Sequence, residues 1–126
     1  MTVAPKPTGT ELAILRALWE LGPATVKQVH QRLSLEREGE PVGYTTVLKM
    51  MQTMHDKGLL HRDESARSHV YRTAQAKASV QKGLVGDFME RVFAGSALDL
   101  VQAAISSRRL SPQDKAELRA LLKENP

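Results

Sequence analysis

The stretch Tyr44–Thr73, YTTVLKMMQTMHDKGLLHRDESARSHVYRT, changes its hydrophobic period in the middle, and that change decides the fold. Up to Lys57 the spacing is helical. With Val47 at zero on a helical wheel, Met50, Met51 and Met54 fall within about 60° of it. Thr45, Lys49, Gln52 and Asp56 cluster on the opposite side, with Thr46 and Thr53 on one flank and Leu48 on the other. One face is suited to burial, and the other offers short hydroxyls and a lysine. Gly58 closes the helix, since glycine accepts the backbone conformation that ends one. Beyond it, Leu59–Arg62 and Ser68–Thr73 read as two short strands around a polar tip, Asp63–Arg67. The hairpin carries Arg62, Arg67, His69 and Arg72.

Toward the amino terminus, Leu12, Leu15, Leu18 and Trp19 predict a helix over Glu11–Leu21, with Thr10 as N-cap and Gly22-Pro23 as its stop. Thr25 and Gln28 predict a capping box at the start of a second, short helix that buries Val26, Val29 and Leu33. Ser34–Gly43, with Glu36, Glu38, Gly39, Glu40 and Pro41, reads as an acidic loop. Toward the carboxyl terminus the chain is helical from Gln75. Leu84, Val85, Phe88, Met89, Val92 and Phe93 form a wide stripe ended by Gly95. Ser96 and Asp99 open another helix that buries Leu100, Val101, Ala104 and Ile105. Ser111-Pro112-Gln113-Asp114 opens a third, with Leu118, Leu121 and Leu122 on one face.

The expected fold is mainly α with a small β hairpin: a winged helix-turn-helix DNA-binding domain over residues 1–74 and a helical dimerisation region over 75–126. The second region has too few apolar residues per helix to stand alone, yet its stripes need cover. A homodimer supplies that cover and also suits a palindromic DNA site.

Composition sets the outer bounds. The 126 residues are 41% hydrophobic and 25% charged, an ordinary globular balance. There is no cysteine, which removes disulfides, thiolate metal sites and cysteine nucleophiles together. The longest apolar stretch, Leu100–Ile105, is far short of the ~18 residues of a membrane span, and Met1–Thr10 lacks the apolar run of a secretory signal. A soluble, cytoplasmic protein without membrane insertion is expected. The net charge of +4 is shared equally between residues 1–73 and 74–126, so bulk charge does not mark a nucleic-acid partner.

Local placement carries that expectation instead. Thr45 and Thr46 are suited to base edges, phosphates or a thymine methyl, and Lys49, one turn on, to guanine acceptors or a phosphate. Arg67 at the hairpin tip is suited to a phosphate or a minor groove. Taken singly, each has an ordinary alternative, a solvated helix face or a charged surface turn; together they arrive in the order that DNA reading needs. A rival function is a winged-helix protein-interaction module that never touches DNA, although such a groove would expose apolar or aromatic residues where Thr45, Lys49 and Gln52 stand. His61 and His69, facing each other across the hairpin near Asp63 and Glu64, are the weak metal candidate, without any recognised ligand spacing; no metal or cofactor is expected. Gly83-Leu84-Val85-Gly86 matches a GxxG pattern, but within a helical stripe, where close helix packing is the better account. No nucleophile, phosphate-loop or paired-carboxylate pattern marks a catalytic residue, and an enzyme is not expected.

The residues also resemble a known family. Pro7-Thr8-Gly9-Thr10-Glu11, Ile14–Val26 with its Leu18-Trp19, Gly22-Pro23 and Thr25-Val26, then Tyr44-Thr45-Thr46-Val47 and Lys57-Gly58-Leu59-Leu60, are similar to the penicillinase-repressor (BlaI/MecI) family. Val85–Leu122, including Phe93-Ala94-Gly95-Ser96, resembles its dimerisation tail. The resemblance implies a homodimeric bacterial repressor on palindromic operators, controlling β-lactamase-type antibiotic-resistance or other stress-response genes and its own promoter. It implies that Thr45, Thr46 and Lys49 lie toward the major groove, Arg67 in the wing, and Thr25 and Tyr44 near the phosphate backbone. Phe88, Met89, Val92, Leu100, Val101, Leu121 and Leu122 would join the protomers. The sequence makes three departures from the family pattern. Val42 stands where many members have Trp. His69-Val70-Tyr71 replaces a Tyr-x-Tyr. Ala103-Ala104 occupies the Asn-Phe pair that a membrane sensor-protease system has cut in the best-known members. The cysteine cluster of the copper-responsive branch is absent.

Overall fold

A computed structural model describes residues 7–36 and 42–124. In chain order its elements are α1 (Gly9–Leu21), β1 (Ala24–Thr25), α2 (Val26–Glu36), α3 (Tyr44–Asp56), β2 (Leu60–Asp63), β3 (Val70–Thr73), α4 (Lys77–Phe93), α5 (Ala97–Ser106) and α6 (Pro112–Glu124). The chain forms two compact units, Met1–Gln81 and Lys82–Pro126, so the division falls inside α4.

In the first unit, three helices and a small sheet close over one core. Ile14, Leu15 and Leu18 of α1, Val29 and Leu33 of α2, and Val47, Met51 and Met54 of α3 are buried together with Leu59, Leu60 and Tyr71. Complete burial of such side chains stabilises by about 1.5–3 kcal/mol each, which is what holds the short helices in place. The predicted apolar face of α3 is this buried face, and Met50 packs at its margin. Val80, in the first turn of α4, also packs on this core.

The predicted capping box of α2 is present. The Thr25 amide donates to Gln28 Oε1 at 2.9 Å and the Gln28 amide to Thr25 Oγ1 at 3.3 Å. The N-cap of α1 is Thr8, not Thr10, which lies inside the helix. Thr8 stands three residues before Glu11, so hydroxyl and carboxylate satisfy each other's free backbone amides. Thr10 has no such partner at that spacing. Of the expected acidic loop, Ser34–Glu36 continue α2, and Glu38, Gly39, Glu40 and Pro41 lie outside the described residues.

The hairpin pairs β2 with β3, and a third strand absent from the sequence reading, β1, pairs with the other edge of β3. Two residues are too few to show a period of two. The register places Tyr71 between Ala24 and Arg62 in the centre of the sheet, with Tyr71 turned inward and buried. It also sets His61 opposite Arg72 rather than His69, so the two histidines do not face each other. Among the described residues no group of three or more His, Cys, Asp or Glu is arranged to hold a metal ion. Gly58, at φ +86°, turns the chain from α3 into β2 in a conformation costly for other residues.

The second unit contains the rest of α4 with α5 and α6. The expected caps are present: Ser96 accepts from the Asp99 amide at 3.1 Å, and Ser111 and Asp114 form a reciprocal pair. Phe88 and Phe93 meet edge to face, with ring centroids 5.6 Å apart. None of the three helices has a fully buried residue. Close packing among the described residues does not account for Gly83 and Gly86: a Cβ at either would meet none of their atoms within 4 Å. Among the described residues no helix is long and apolar enough to cross a membrane.

Candidate nucleic-acid interface

Burial of Val47, Met51 and Met54 orients α3, because a helix that turns one face fully inward has to present the other. The presented residues are Thr45, Thr46, Lys49, Gln52 and Thr53, all exposed. Lys49 has no acidic partner among the described residues, so its charge is available to an outside anion. The Thr53 hydroxyl is occupied, donating to the Lys49 carbonyl at 2.9 Å.

The start of α3 is also open. Its N-cap, Gly43, makes no side-chain cap, and the first helical hydrogen bond runs from the Val47 amide to the Gly43 carbonyl at 3.1 Å. The preceding amides point outward at the positive end of the helix dipole. Tyr44 begins the helix half-exposed, with its ring edge-on to His30 of α2 at a centroid distance of 5.8 Å. His30 Nε2 lies 2.9 Å from the Val42 carbonyl. A carbonyl can only accept, so Nε2 is the protonated nitrogen and donates. His30 thereby ties α2 to the chain entering α3, a role that sequence spacing did not reveal because the two residues are twelve positions apart.

The hairpin divides its basic residues. Arg67 and His69 are exposed at the tip, and Arg67 has no acidic partner among the described residues. Arg72 and His61 share the outer face of the sheet. Arg62 is turned the other way, mostly covered, with its guanidinium within 2.6 Å of Glu64. The Tyr71 hydroxyl raises its pKa, burial opposes this, and Glu64 adds to the rise, so Arg62 is committed inside the wing. Thr25 is also engaged, its hydroxyl within 3.3 Å of Gln28 Oε1 and its backbone paired with Val70. Thus Tyr44, Thr45, Thr46 and Lys49 are gathered on one helix, Arg67 stands on a separate hairpin, and Thr25 is occupied by capping.

Glu11, the one buried charged residue among those described, was not singled out for a role by its sequence context. Lys57 Nζ, at the C-cap of α3, lies 3.0 Å from Glu11 Oε2, while the Thr8 amide donates to Oε1 at 2.9 Å. Forty-six positions separate Glu11 and Lys57, a distance no local motif spans.

In the second unit, Phe88, Val92, Leu121 and Leu122 are exposed, and Met89, Leu100 and Val101 are half-buried. Ala103 and Ala104 lie within α5, Ala103 exposed.

The model of the penicillinase repressor family matches residues 7–124. Two curated relatives are the transcriptional regulators BlaI of Mycobacterium tuberculosis strains CDC 1551 / Oshkosh and ATCC 25618 / H37Rv. Each is 33% identical over 78 residues, covering 61% of this chain and 54% of the relative. The matched region spans about half the length of these relatives.

Proposed function

The chain belongs to the penicillinase repressor family, and from that premise we propose that it is a sequence-specific transcriptional repressor, a homodimer that occupies a palindromic operator. The observation that carries this reading is the two-sided α3, whose buried apolar face leaves Thr45, Thr46 and Lys49 presented together. A helix of this width enters the major groove, where short hydroxyls and a lysine address base edges. Tyr44 and the open start of α3 lie against the phosphate backbone, and Arg67 supplies a further phosphate contact from the wing. Thr25 contributes by holding the start of α2 against β3, with its hydroxyl kept for Gln28.

The partner of the second unit is another copy of this chain, joined through Phe88, Met89, Val92, Leu100, Val101, Leu121 and Leu122. Repression follows from occupancy of promoter DNA and requires no catalytic step. β-Lactamase-type or other stress-response genes and the chain's own promoter are the proposed targets, and the cytoplasm is where it meets them. A sensor-protease partner, if one acts, would have to accept Ala103-Ala104 inside a helix. Footprinting on DNA upstream of its own gene tests the reading. A protected palindrome is expected, and absence of protection at low salt would overturn it.

A further inference from the structure

The Glu11–Lys57 pair joins the first turn of α1 to the C-cap of the reading helix, and its placement calls for an account beyond stability. Glu11 is covered, whereas the Lys57 side chain remains 38% exposed, so burial of the carboxylate costs about as much as attraction to a partly hydrated ammonium returns. Such a pair is therefore weak support for a fold. It is strong in direction. Each oxygen of Glu11 has its own donor, Thr8 N–H at 2.9 Å and Lys57 Nζ at 3.0 Å, which leaves the carboxylate little freedom to turn. Lys57 is held at the backbone as well, its amide donating to the Thr53 carbonyl at 2.9 Å.

The apolar contacts of α3 lack this directionality. Three of the five residues on or beside its buried face, Met50, Met51 and Met54, are methionines, the others being Val47 and Leu48. Methionine repacks easily through its three rotatable bonds. Such a face fixes which side of α3 points inward but tolerates a small slide or rotation. Reading DNA does not tolerate it. Hydrogen bonds to base edges are lost over a few tenths of an ångström, and one residue along a helix is about 1.5 Å. Glu11 also lies directly behind the presented face: with Thr8, Met50 and Thr53, Glu11 and Lys49 line one hollow of about 240 Å³.

We propose that the Glu11–Lys57 pair is a positioning device for sequence reading, fixing the axial place and rotation of α3 so that Thr45, Thr46 and Lys49 meet the bases in a single register. Neither residue need touch DNA. The proposal rests on the repressor reading and deepens it, by assigning part of its specificity to a contact on the inner side of the reading helix.

The test compares affinity for the duplex protected in footprinting with affinity for a scrambled duplex of equal length at fixed salt. In the double variant Glu11→Leu/Lys57→Met the net charge is unchanged, so binding to the scrambled duplex should stay as it is. The ratio of the two affinities should fall about tenfold, the scale of one lost base contact. Lys57→Arg, which keeps the ion pair, should retain the ratio. If Glu11→Leu/Lys57→Met does not fold, as judged by circular dichroism, Glu11→Gln/Lys57→Gln keeps size and net charge and should show the same loss. A folded double variant with the wild-type ratio would overturn the proposal alone. A wild-type chain that binds all duplexes alike would overturn the repressor reading and this proposal with it.

Discussion

Lys49 and Arg67 are both exposed cations, yet their settings predict different losses. Lys49 projects from the helix that also presents Thr45 and Thr46, so in the proposed complex it would meet a fixed position of the duplex. Lys49→Ala should weaken operator binding by about 1–3 kcal/mol while scrambled DNA loses less. Arg67 stands at a turn, where a long side chain reaches phosphate without regard to sequence. Arg67→Ala should weaken all duplexes similarly and reduce the slope of log affinity against log salt by about one. Titrations at several salt concentrations separate the two, and a loss at Arg67 confined to one base position would mean that it reads sequence. Glu11 makes a prediction of another kind. Burial alone would push its carboxyl up; donation from the Thr8 amide and from Lys57, with the Lys57 charge, outweighs that and holds it below the ordinary value of 4.5. The stability it contributes is therefore fully present above the unfolded value and is lost as pH falls through the lowered one. Lys57, and Lys49 across the hollow, are the cations among the described residues that face Glu11. Thermal melts should show stability falling as pH drops below 4.5, with a shallower fall in Glu11→Gln. Asp63, held low by the Ser65 hydroxyl and amide, titrates in both proteins, so the difference isolates Glu11.

At the scale of elements, α3 was legible because both its faces are long enough to show a period, and its buried set is the one that the wheel selects. The capping box at Thr25 and Gln28 was legible for a related reason, since its donors and acceptors lie within four residues. What escaped was set by distance in sequence or by brevity. β1 is two residues long, its pairing with Val70 and Tyr71 depends on a partner some 46 positions away, and nothing in Ala24-Thr25 itself reads as strand. The same limit hid His30 against Val42 and Glu11 against Lys57, both of which act across the fold. Arg62 could not be told from Arg67 by composition; only the register shows one turned under the sheet and the other at the tip. Gly83 and Gly86 stand apart, because α4 bears the cost of two interior glycines with no contact among the described residues that requires them. Glycine in a helix interior is less favourable than alanine by roughly 0.5–1 kcal/mol. Gly83→Ala/Gly86→Ala should therefore increase the hydrogen-exchange protection of the surrounding amides by about 1–2 kcal/mol in total. A loss of protection, with weaker self-association, would show instead that a second copy approaches these positions closely.

At the scale of the whole molecule, the two units differ in how completely they bury their apolar residues. The first closes over its core, whereas α4, α5 and α6 bury no residue fully and leave Val92 58% and Leu122 65% exposed. Single exposed apolar residues are ordinary, but stripes on three successive helices point to cover from another chain. A second copy is the simplest cover, and two-fold symmetry would present two copies of α3 to the two halves of a palindrome. Val92→Asp separates association from folding. At 58% exposure the new carboxylate stays hydrated in the isolated chain, so circular dichroism should be unchanged. In a dimer it would be buried without a partner, a cost that association has to bear. Sedimentation at micromolar concentration should shift from dimer to monomer. Operator affinity should fall by about a hundredfold or more, because the second half-site would no longer be reached at high effective concentration. Affinity for an isolated half-site should be unchanged, since Thr45, Thr46, Lys49 and Arg67 all belong to the first unit. A monomer that kept full operator affinity would break the link between the exposed stripes and DNA reading. A variant that remained dimeric would place the interface away from Val92.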